Sequence, residues 1–387
     1  MRSAALLQHT AWPFFDDRHR GFAEEFGSWA EARLGPFEAD EGNDGRGARA
    51  VFELLAAGGW LRDAIAGTED GERLDLRRTC LMREILGFWS VLADVGFSEP
   101  WLAALPIMLF GRPDQKREFA VGFLAGRCLP AFALSEPEAG SDVAAIGTVA
   151  RPAAGGYVLR GRKTWTSNCG LADLYVVFAR IEGSSGTDGI TAFLVDGDSP
   201  GVVLEQRLRV LPPHTVGTLR LDDCFVGESA VLGEPGQGFK AAMAALELFR
   251  PTVGAAALGM ARRAMAEALA RSGERVAFKK RLAEHQLIQE KLADMAVKTD
   301  AAALLVYRAA WAHDSGTASG GKEASIAKLY ASESAQEVVD QALQIFGGLG
   351  VVHGSVVERL YRHVRAFRIF DGTSEIQKLI IAKQLLR

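Results

Sequence analysis

Cysteine and histidine are both scarce, four and seven among 387 residues, and their scatter closes off several kinds of chemistry. Cys80, Cys128, Cys169 and Cys224 stand far apart, with no CxxC pair and no histidine at ligand spacing. Neither a disulfide framework nor a metal site is expected, and a reducing compartment fits. The scattered histidines give no Ser-His-Asp order. No charge of one sign prevails: 44 Lys and Arg against 48 Asp and Glu leave a net charge of -4 and a pI near 6.0. That balance excludes a nucleic acid or an anionic membrane held by bulk charge, so any bound anion must be gripped locally. Long apolar runs are missing as well. A bilayer span needs roughly 18 to 20 apolar residues, and the most apolar stretch, 301–312, is interrupted by Arg308. The sequence predicts no membrane crossing. The opening MRSAALLQHT has one arginine and a four-residue apolar run before Gln8, too short for a secretory h-region, and a cytoplasmic location is expected.

What is present is a large apolar stock. With 48% hydrophobic and 24% charged residues and a mean hydropathy of +0.06, the 41.6 kDa chain can bury a sizeable core. Its length suits two or three domains. Residues 1–127 are rich in Ala, Leu, Glu and Arg, with Phe15, Phe22, Phe26, Trp29 and Leu34 at helical spacing, which predicts a helical domain. Residues 128–238 change to short β-branched and aromatic runs, YVLRGRKTW, DLYVVFAR, GITAFLVD, GVVLEQRLRV and GTLRLDD, separated by Gly, Pro, Ser and Asp. No long helical pattern is interleaved, so an antiparallel barrel or sandwich is favoured over a parallel βαβ sheet. Residues 239–387 return to helix. Phe239, Met243, Leu246, Phe249 and Val253 lay one apolar stripe along a long helix, and runs near 275–314, 320–346 and 373–386 suggest a bundle. The fold class is α+β, multidomain, in the order α, β, α.

Several segments carry candidate chemistry, each with an ordinary structural reading beside it. Between Phe132 and Asp142 a short apolar strand enters a loop of small and polar residues. Ser135 and Ser141, with Gly140 permitting close approach, suit the polar edges and phosphate of a flat ligand; a plain strand-to-turn connection suits the segment equally. Trp165, beside Thr166 and Ser167, offers a flat apolar face rimmed by hydroxyls, or a buried core tryptophan. Glu136, Glu138 and Asp142 read as solvated loop charges rather than a metal cluster. The run from Gly233 to Phe239 mimics a dinucleotide fingerprint but follows no βαβ unit, and reads as a loop entering a helix. Ser374 and Gln377 have capping-box spacing, which predicts a helix N-terminus after Asp371 suited to an anion. Asp371-Gly372 is otherwise a turn dipeptide, and Gly347-Gly348 a helix C-cap. Arg250 pairs by spacing with Glu247 on an exposed face, and Arg275, Phe278, His285 and Gln286 fall on the following helix.

Taken in order, ALSEPEAGSD, KTWTSN, LRLDDCFV with GEPGQGF, LFRPTVGAAALG, RVAFKKRLAEHQ, QIFGGLG and IFDGTSEIQ resemble the acyl-CoA dehydrogenase family of FAD flavoenzymes over nearly the whole chain. The resemblance implies an N-terminal helical domain, a middle β domain and a C-terminal four-helix bundle, assembled as a homotetramer or homodimer. It implies that Phe132, Leu134, Ser135, Gly140, Ser141, Trp165, Thr166 and Ser167 contact the isoalloxazine and ribityl-phosphate part of FAD. Arg275, Phe278, His285, Gln286, Gln344, Gly347 and Gly348 would hold the pyrophosphate and adenosine, and Thr373 and Glu375 would complete the cofactor site. Ser141, Glu247, Phe249, Arg250, Phe370 and Gly372 would line the acyl-CoA channel. The implied chemistry is α,β-dehydrogenation of an acyl thioester: a carboxylate takes the pro-R α-proton, a hydride leaves the β-carbon for FAD, and electron-transferring flavoprotein accepts the electrons. An enoyl-CoA reductase, an acyl-CoA oxidase and a non-catalytic flavin- or acyl-CoA-binding protein are the alternatives on this scaffold.

Two positions depart from the family pattern. Asp371 stands where most members carry Glu, one methylene shorter, and a misplacement on the order of 1 Å can cost a hundredfold in rate. The family's alternative base position, just before Arg250, holds Phe249, so Asp371 is the candidate base. Lys279 stands where Gly is usual, beside the implied pyrophosphate site. Phe249 and Phe370 add bulk, which suggests a short, branched or cyclic acyl group.

Overall fold

Asp16 opens the α-helix Asp17–Arg33 by accepting from the backbone N–H groups of Arg18 and His19, and helix and strand alternate in blocks from there on. The computed structural model describes residues 6–39, 45–65, 74–317 and 321–386. Helices α1 (Asp17–Arg33), α2 (Arg46–Ala57), α3 (Leu76–Trp89), α4 (Val91–Phe110) and α5 (Pro113–Leu124) come first. Strands β1 (Pro130–Ala133), β2 (Val149–Ala153), β3 (Gly156–Ser167), β4 (Leu174–Ile181), β5 (Ile190–Asp196), β6 (Val202–Leu208) and β7 (Val216–Gly227) follow. Then come α6 (Gly238–Glu274), the small hairpin β8 (Val276–Ala277) and β9 (Lys280–Arg281), α7 (Gln286–Asp314), α8 (Lys322–Phe346), α9 (Val356–Val364) and α10 (Ser374–Leu385). Spatially these form two units: Met1–Glu41 with Asp75–Asp94 and Glu247–Arg387, and Gly42–Leu74 with Val95–Leu246.

The first unit is a helical bundle. Val253, Met260 and Ala264 of α6, Met295 and Val306 of α7, and Ala331, Val338 and Val339 of α8 are fully buried in it. Two glycines, Gly87 of α3 and Gly259 of α6, let the two backbones nearly touch. A Cβ on Gly87 would stand 2.6 Å from the Ala256 carbonyl, and one on Gly259 would strike the Glu84 carbonyl. Two groups of buried charges here are partnered. Arg83 forms a two-pronged pair with Asp94 at 2.8 Å on each side, donates to Thr252 at 3.1 Å, and sets its guanidinium 4.8 Å from the Phe249 ring. Glu84 accepts from Tyr307 and pairs with Arg262 at 2.6 Å and His9 at 3.2 Å, tying the N-terminal segment to α6 and α7.

The second unit is built on a seven-stranded sheet of order β1-β4-β2-β3-β7-β6, with β5 on β4. Leu159, Tyr175, Val177, Phe193, Leu219, Leu221 and Cys224 form its core. The sheet is mainly antiparallel, as the sequence implied, yet β4 runs parallel to both β1 and β2. Each of those connections is long enough to cross over without a helix of its own, a freedom that the strand pattern alone does not reveal.

Two described helices are long and apolar enough to cross a membrane, Val91–Phe110 and Gly238–Glu274, which corrects the expectation that no such run exists. Their most apolar windows are 94% and 78% buried within the fold, as in core helices of folded proteins. Both escape notice in the sequence because Pro100, Pro106 and Pro251 and isolated charges interrupt them without ending the helix.

Candidate functional site

In the sheet unit, chemistry gathers where β3 ends. The β3–β7 register slips between Lys163 and Thr166, and at that irregularity Trp165 takes a left-handed backbone (φ 56°) and stands 60% exposed. A bulge re-aims a side chain, and here it turns the indole outward. This decides between the two readings of Trp165 against a buried core residue. Its neighbour Thr166 is buried, with a hydroxyl that finds no partner. Lys163, fully buried, donates to Glu136 Oε1 at 2.6 Å and to the Leu134 carbonyl at 3.1 Å. Glu136 in turn accepts from the amides of Gly147 at 2.6 Å and Thr148 at 3.0 Å. One buried ion pair thus fixes the loop that presents Ser135, Gly140 and Ser141. Glu136 is therefore no solvated loop charge, as its spacing suggested. Burial pushes the Lys163 amine down to about 8 even though Glu136 opposes the shift. For Glu136 the burial that raises its pKa is outweighed by Lys163 and the amide donors, so the carboxyl lies below its ordinary range. Phe132 is half-buried against Phe178, with ring centroids 5.0 Å apart, and Leu134 is 5% exposed.

Ser167 is less free than its sequence context implied. Its hydroxyl donates to Glu99 Oε2 at 2.6 Å and meets His214 Nε2 at 2.8 Å. Glu99 and His214 were not legible as site residues, since they lie 68 and 47 positions from Ser167 in no shared motif.

In the helical unit, Arg275, Phe278 and His285 do not lie on a helix. They belong to the β8–β9 hairpin and the turn after it, and Gln286 is the first residue of α7. Phe278 and Lys279 both have positive φ, 51° and 66°, the geometry of a type I′ turn. The turn forms with lysine at 279, so the departure from glycine leaves the hairpin intact. Phe278 is 92% exposed, and His285 Nε2 lies 3.2 Å from the Ala277 carbonyl. Gln344 is exposed at the end of α8, and at Gly347 and Gly348 an added Cβ would meet open space, as at Gly140 in the other unit.

The Asp371 turn is held from below. Asp371 and Gly372 have φ of 57° and 91°, and a Cβ on Gly372 would lie 2.6 Å from Gln377 Nε2. Gln377 donates to the Asp371 carbonyl at 3.3 Å and to the Gly372 carbonyl at 2.8 Å. The Gly372 carbonyl also accepts from Lys328 Nζ at 2.9 Å. The capping box expected of Ser374 and Gln377 is not formed. Thr373 caps α10 by accepting from the Ile376 amide, while Ser374 donates to Glu333 and Gln377 turns back into the loop. Arg250 is 8% exposed, not on an open face, and its Nε has no hydrogen-bond partner. Burial lowers its pKa, opposed by Asp371 and Glu247. Burial also pushes Lys328 down to about 8, against the pull of Asp371. Two buried cations therefore share the field of one turn carboxylate. Phe249 is fully buried over Arg83, and Phe370 packs on Phe367 with ring centroids 4.9 Å apart. Thr373 and Glu375 stand at the first turn of α10. Lys328 and Gln377 were missed as site residues because their partners are backbone carbonyls, which leave no trace in residue type.

Comparison with known proteins gives a consistent picture. Residues 236–386 match the family model of the acyl-CoA dehydrogenase C-terminal domain and residues 131–224 that of the middle domain. A 3-(aryl)acrylate reductase of Clostridium sporogenes is 36% identical over 97% of this chain and 100% of its own length. The caffeyl-CoA reductase-Etf complex subunit CarC of Acetobacterium woodii is 35% identical over 97% of this chain and 100% of its own. Among solved structures, butyryl-CoA dehydrogenase from Megasphaera elsdenii superposes with a TM-score of 0.87 at 34% identity, covering 96% of this chain and 99% of that one. An acyl-CoA dehydrogenase from Bacillus anthracis, solved with FAD, gives 0.89 at 31% identity over 96% of this chain and 67% of that one.

Proposed function

The chain belongs to the acyl-CoA dehydrogenase family, oxidoreductases acting on CH–CH bonds, and from that footing we propose that it dehydrogenates an acyl-CoA thioester with FAD as cofactor and Asp371 as base. The observation that supports Asp371 is its turn: a left-handed backbone held by Lys328 and Gln377, with buried Arg250 and Lys328 in reach of the carboxylate's field. The Asp371 carboxylate takes the α-proton, the C–H pair left behind becomes the new π bond, and the β-hydrogen departs as hydride. When bound, FAD supplies the acceptor for that hydride.

The residues suit the cofactor in each unit taken by itself. In the sheet unit, the exposed Trp165 indole offers a flat face, and the unpartnered Thr166 hydroxyl lacks the polar contact that a buried group normally has. Phe132, Leu134, Ser135, Gly140, Ser141 and Ser167 are assigned to the same end of FAD. In the helical unit, Arg275, Phe278, His285, Gln286, Gln344, Gly347 and Gly348 are assigned to its pyrophosphate and adenosine, with Thr373 and Glu375 at the start of α10. The open space beside Gly347 and Gly348 lets a ligand approach the backbone. Ser141, Glu247, Phe249, Arg250, Phe370 and Gly372 are assigned to the acyl-CoA. Buried Phe249 and half-buried Phe370 favour a short, branched or cyclic acyl group. The fully exposed Phe278 ring suits coverage by a second copy of the chain, in a dimer or tetramer. Electron-transferring flavoprotein is the proposed electron acceptor, the partner named in the A. woodii complex.

A second reading, reduction of an enoyl thioester by the same residues in reverse, is favoured by the reductase names of two full-length relatives. Anaerobic mixing with straight, branched and cyclic acyl-CoA thioesters tests both. Bleaching of the yellow flavin band by a saturated thioester, with Asp371→Asn keeping its flavin but losing about 100-fold or more in rate, is the expected result. Bleached protein that only an enoyl-CoA reoxidises efficiently would favour the reductase. Colourless protein that takes up no flavin, or an unimpaired Asp371→Asn variant, would overturn the assignment.

A further inference from the structure

Lys328 is an unusual lysine. Its side chain is completely buried on α8, and its one hydrogen bond among the described residues goes to a backbone carbonyl, that of Gly372, next to Asp371. Buried ammonium groups ordinarily sit against a carboxylate that neutralises them. The charged groups around it come from every side: Arg250 from α6, Asp371 from the turn, Glu375 from α10 and Glu333 from its own helix. Glu333 is already taken by Ser374 at 2.5 Å and Arg368 at 2.7 Å. What remains for Lys328 is the Asp371–Gly372 turn.

We propose that Lys328 is a positioning residue for Asp371, holding the left-handed turn through the Gly372 carbonyl and setting an upper pH limit on turnover. The Gly372 carbonyl receives two donors, Lys328 at 2.9 Å and Gln377 at 2.8 Å, so both lone pairs are engaged and the peptide between Gly372 and Thr373 cannot rotate without losing both bonds. Gln377 fixes the preceding carbonyl as well. Asp371 therefore owes its backbone direction to side chains on two different helices. Of the two donors only Lys328 titrates, and burial brings it into the working range, to about 8. Above that pH the amine loses its charge, the charge-assisted bond to Gly372 weakens, and the field that favours an ionised carboxylate at 371 shrinks. A carboxylate base alone gives an acid limb and no alkaline one.

This inference rests on Asp371 acting as the base, and the experiment separates the two. The flavin-loaded protein is assayed with butyryl-CoA and the thioesters that bleach it, from pH 6 to pH 9.5, as wild type, Lys328→Met and Lys328→Arg. Wild-type kcat is expected to fall above about pH 8. Lys328→Met should lose 10- to 100-fold in kcat with KM and flavin content within about twofold, and should show no fall of its own near pH 8. Lys328→Arg should keep more of the rate and carry its alkaline limb to higher pH, because a guanidinium stays charged. Amide exchange at Gly372 and Thr373, read without turnover, should be faster in Lys328→Met. A wild-type alkaline limb that persists unmoved in both variants, or unchanged exchange at these amides, overturns the positioning role. If Lys328→Met does not fold, the limb and exchange of Lys328→Arg decide alone. Wild type inert toward every thioester, with exchange altered in the variants, would instead discard the dehydrogenase reading and leave the turn contact standing.

Discussion

At the scale of single residues, the shorter base and its backbone belong together. Asp371 holds φ near 57°, and aspartate is among the few residues besides glycine that enter this region readily, since its short side chain meets little of its own backbone there. Gly372 goes further, because any Cβ would collide with Gln377. The dipeptide was readable as a turn; that it is a turn clamped by a buried lysine was not. Lys163 and Glu136 show the same gap. Their residue types stand in recognisable segments, but nothing in the sequence pairs them. Breaking a buried pair from one side leaves the other charge stranded, so Lys163→Met should cost about 3–5 kcal/mol of stability, read by urea unfolding. The same variant should lose flavin, because the loop carrying Ser135 and Ser141 is anchored through Glu136. A Lys163→Met protein of wild-type stability would show that the pair contributes little.

At the scale of elements, local chemistry sets where structure stops and close contact sets which elements meet. The end of β3 is a strand by composition, yet its register slip at 163–166 puts Trp165 on the surface. Alternation predicts two faces, not the residue at which one strand gains on its partner. The β8–β9 turn lies inside what reads as a helical run, since Ala, Lys and Arg favour helix, but two left-handed residues end it. Between α3 and α6 the glycines matter for the space they leave. Gly259 faces the Glu84 carbonyl, so Gly259→Ala must force the helices apart, and a loss of about 1–3 kcal/mol is expected in urea unfolding. Helix propensity alone would have alanine stabilise that position by up to about 1 kcal/mol, so the sign of the change tells packing from propensity.

At the scale of the molecule, one buried imidazole contributes to the loss of stability in acid, beside the carboxylates held below their ordinary range. His363 is 3% exposed, neither ring nitrogen has a hydrogen-bond partner, and burial together with Arg362 and Arg359 pushes its pKa from 6.5 down to about 3. As pH falls below 6.5 the unfolded chain takes up a proton that the folded one refuses, so stability is lost progressively down to about 3 and is fully present above 6.5. His363→Gln should flatten that limb between pH 6.5 and pH 4 in urea titrations. An acid limb unchanged by the substitution would place the effect elsewhere. The sequence by itself determined the order of helical and strand blocks, the family, and the segments from which the site is drawn, because periodicity, turn residues and motif order are properties of neighbouring positions. The tertiary structure alone decided that β4 pairs in parallel with two strands, that Ser167 meets Glu99 and His214, and that Lys328 lies beneath Asp371. Each of these joins positions dozens of residues apart through a backbone carbonyl, a shared proton or a ladder bond, and such contacts are specified only when the chain has packed.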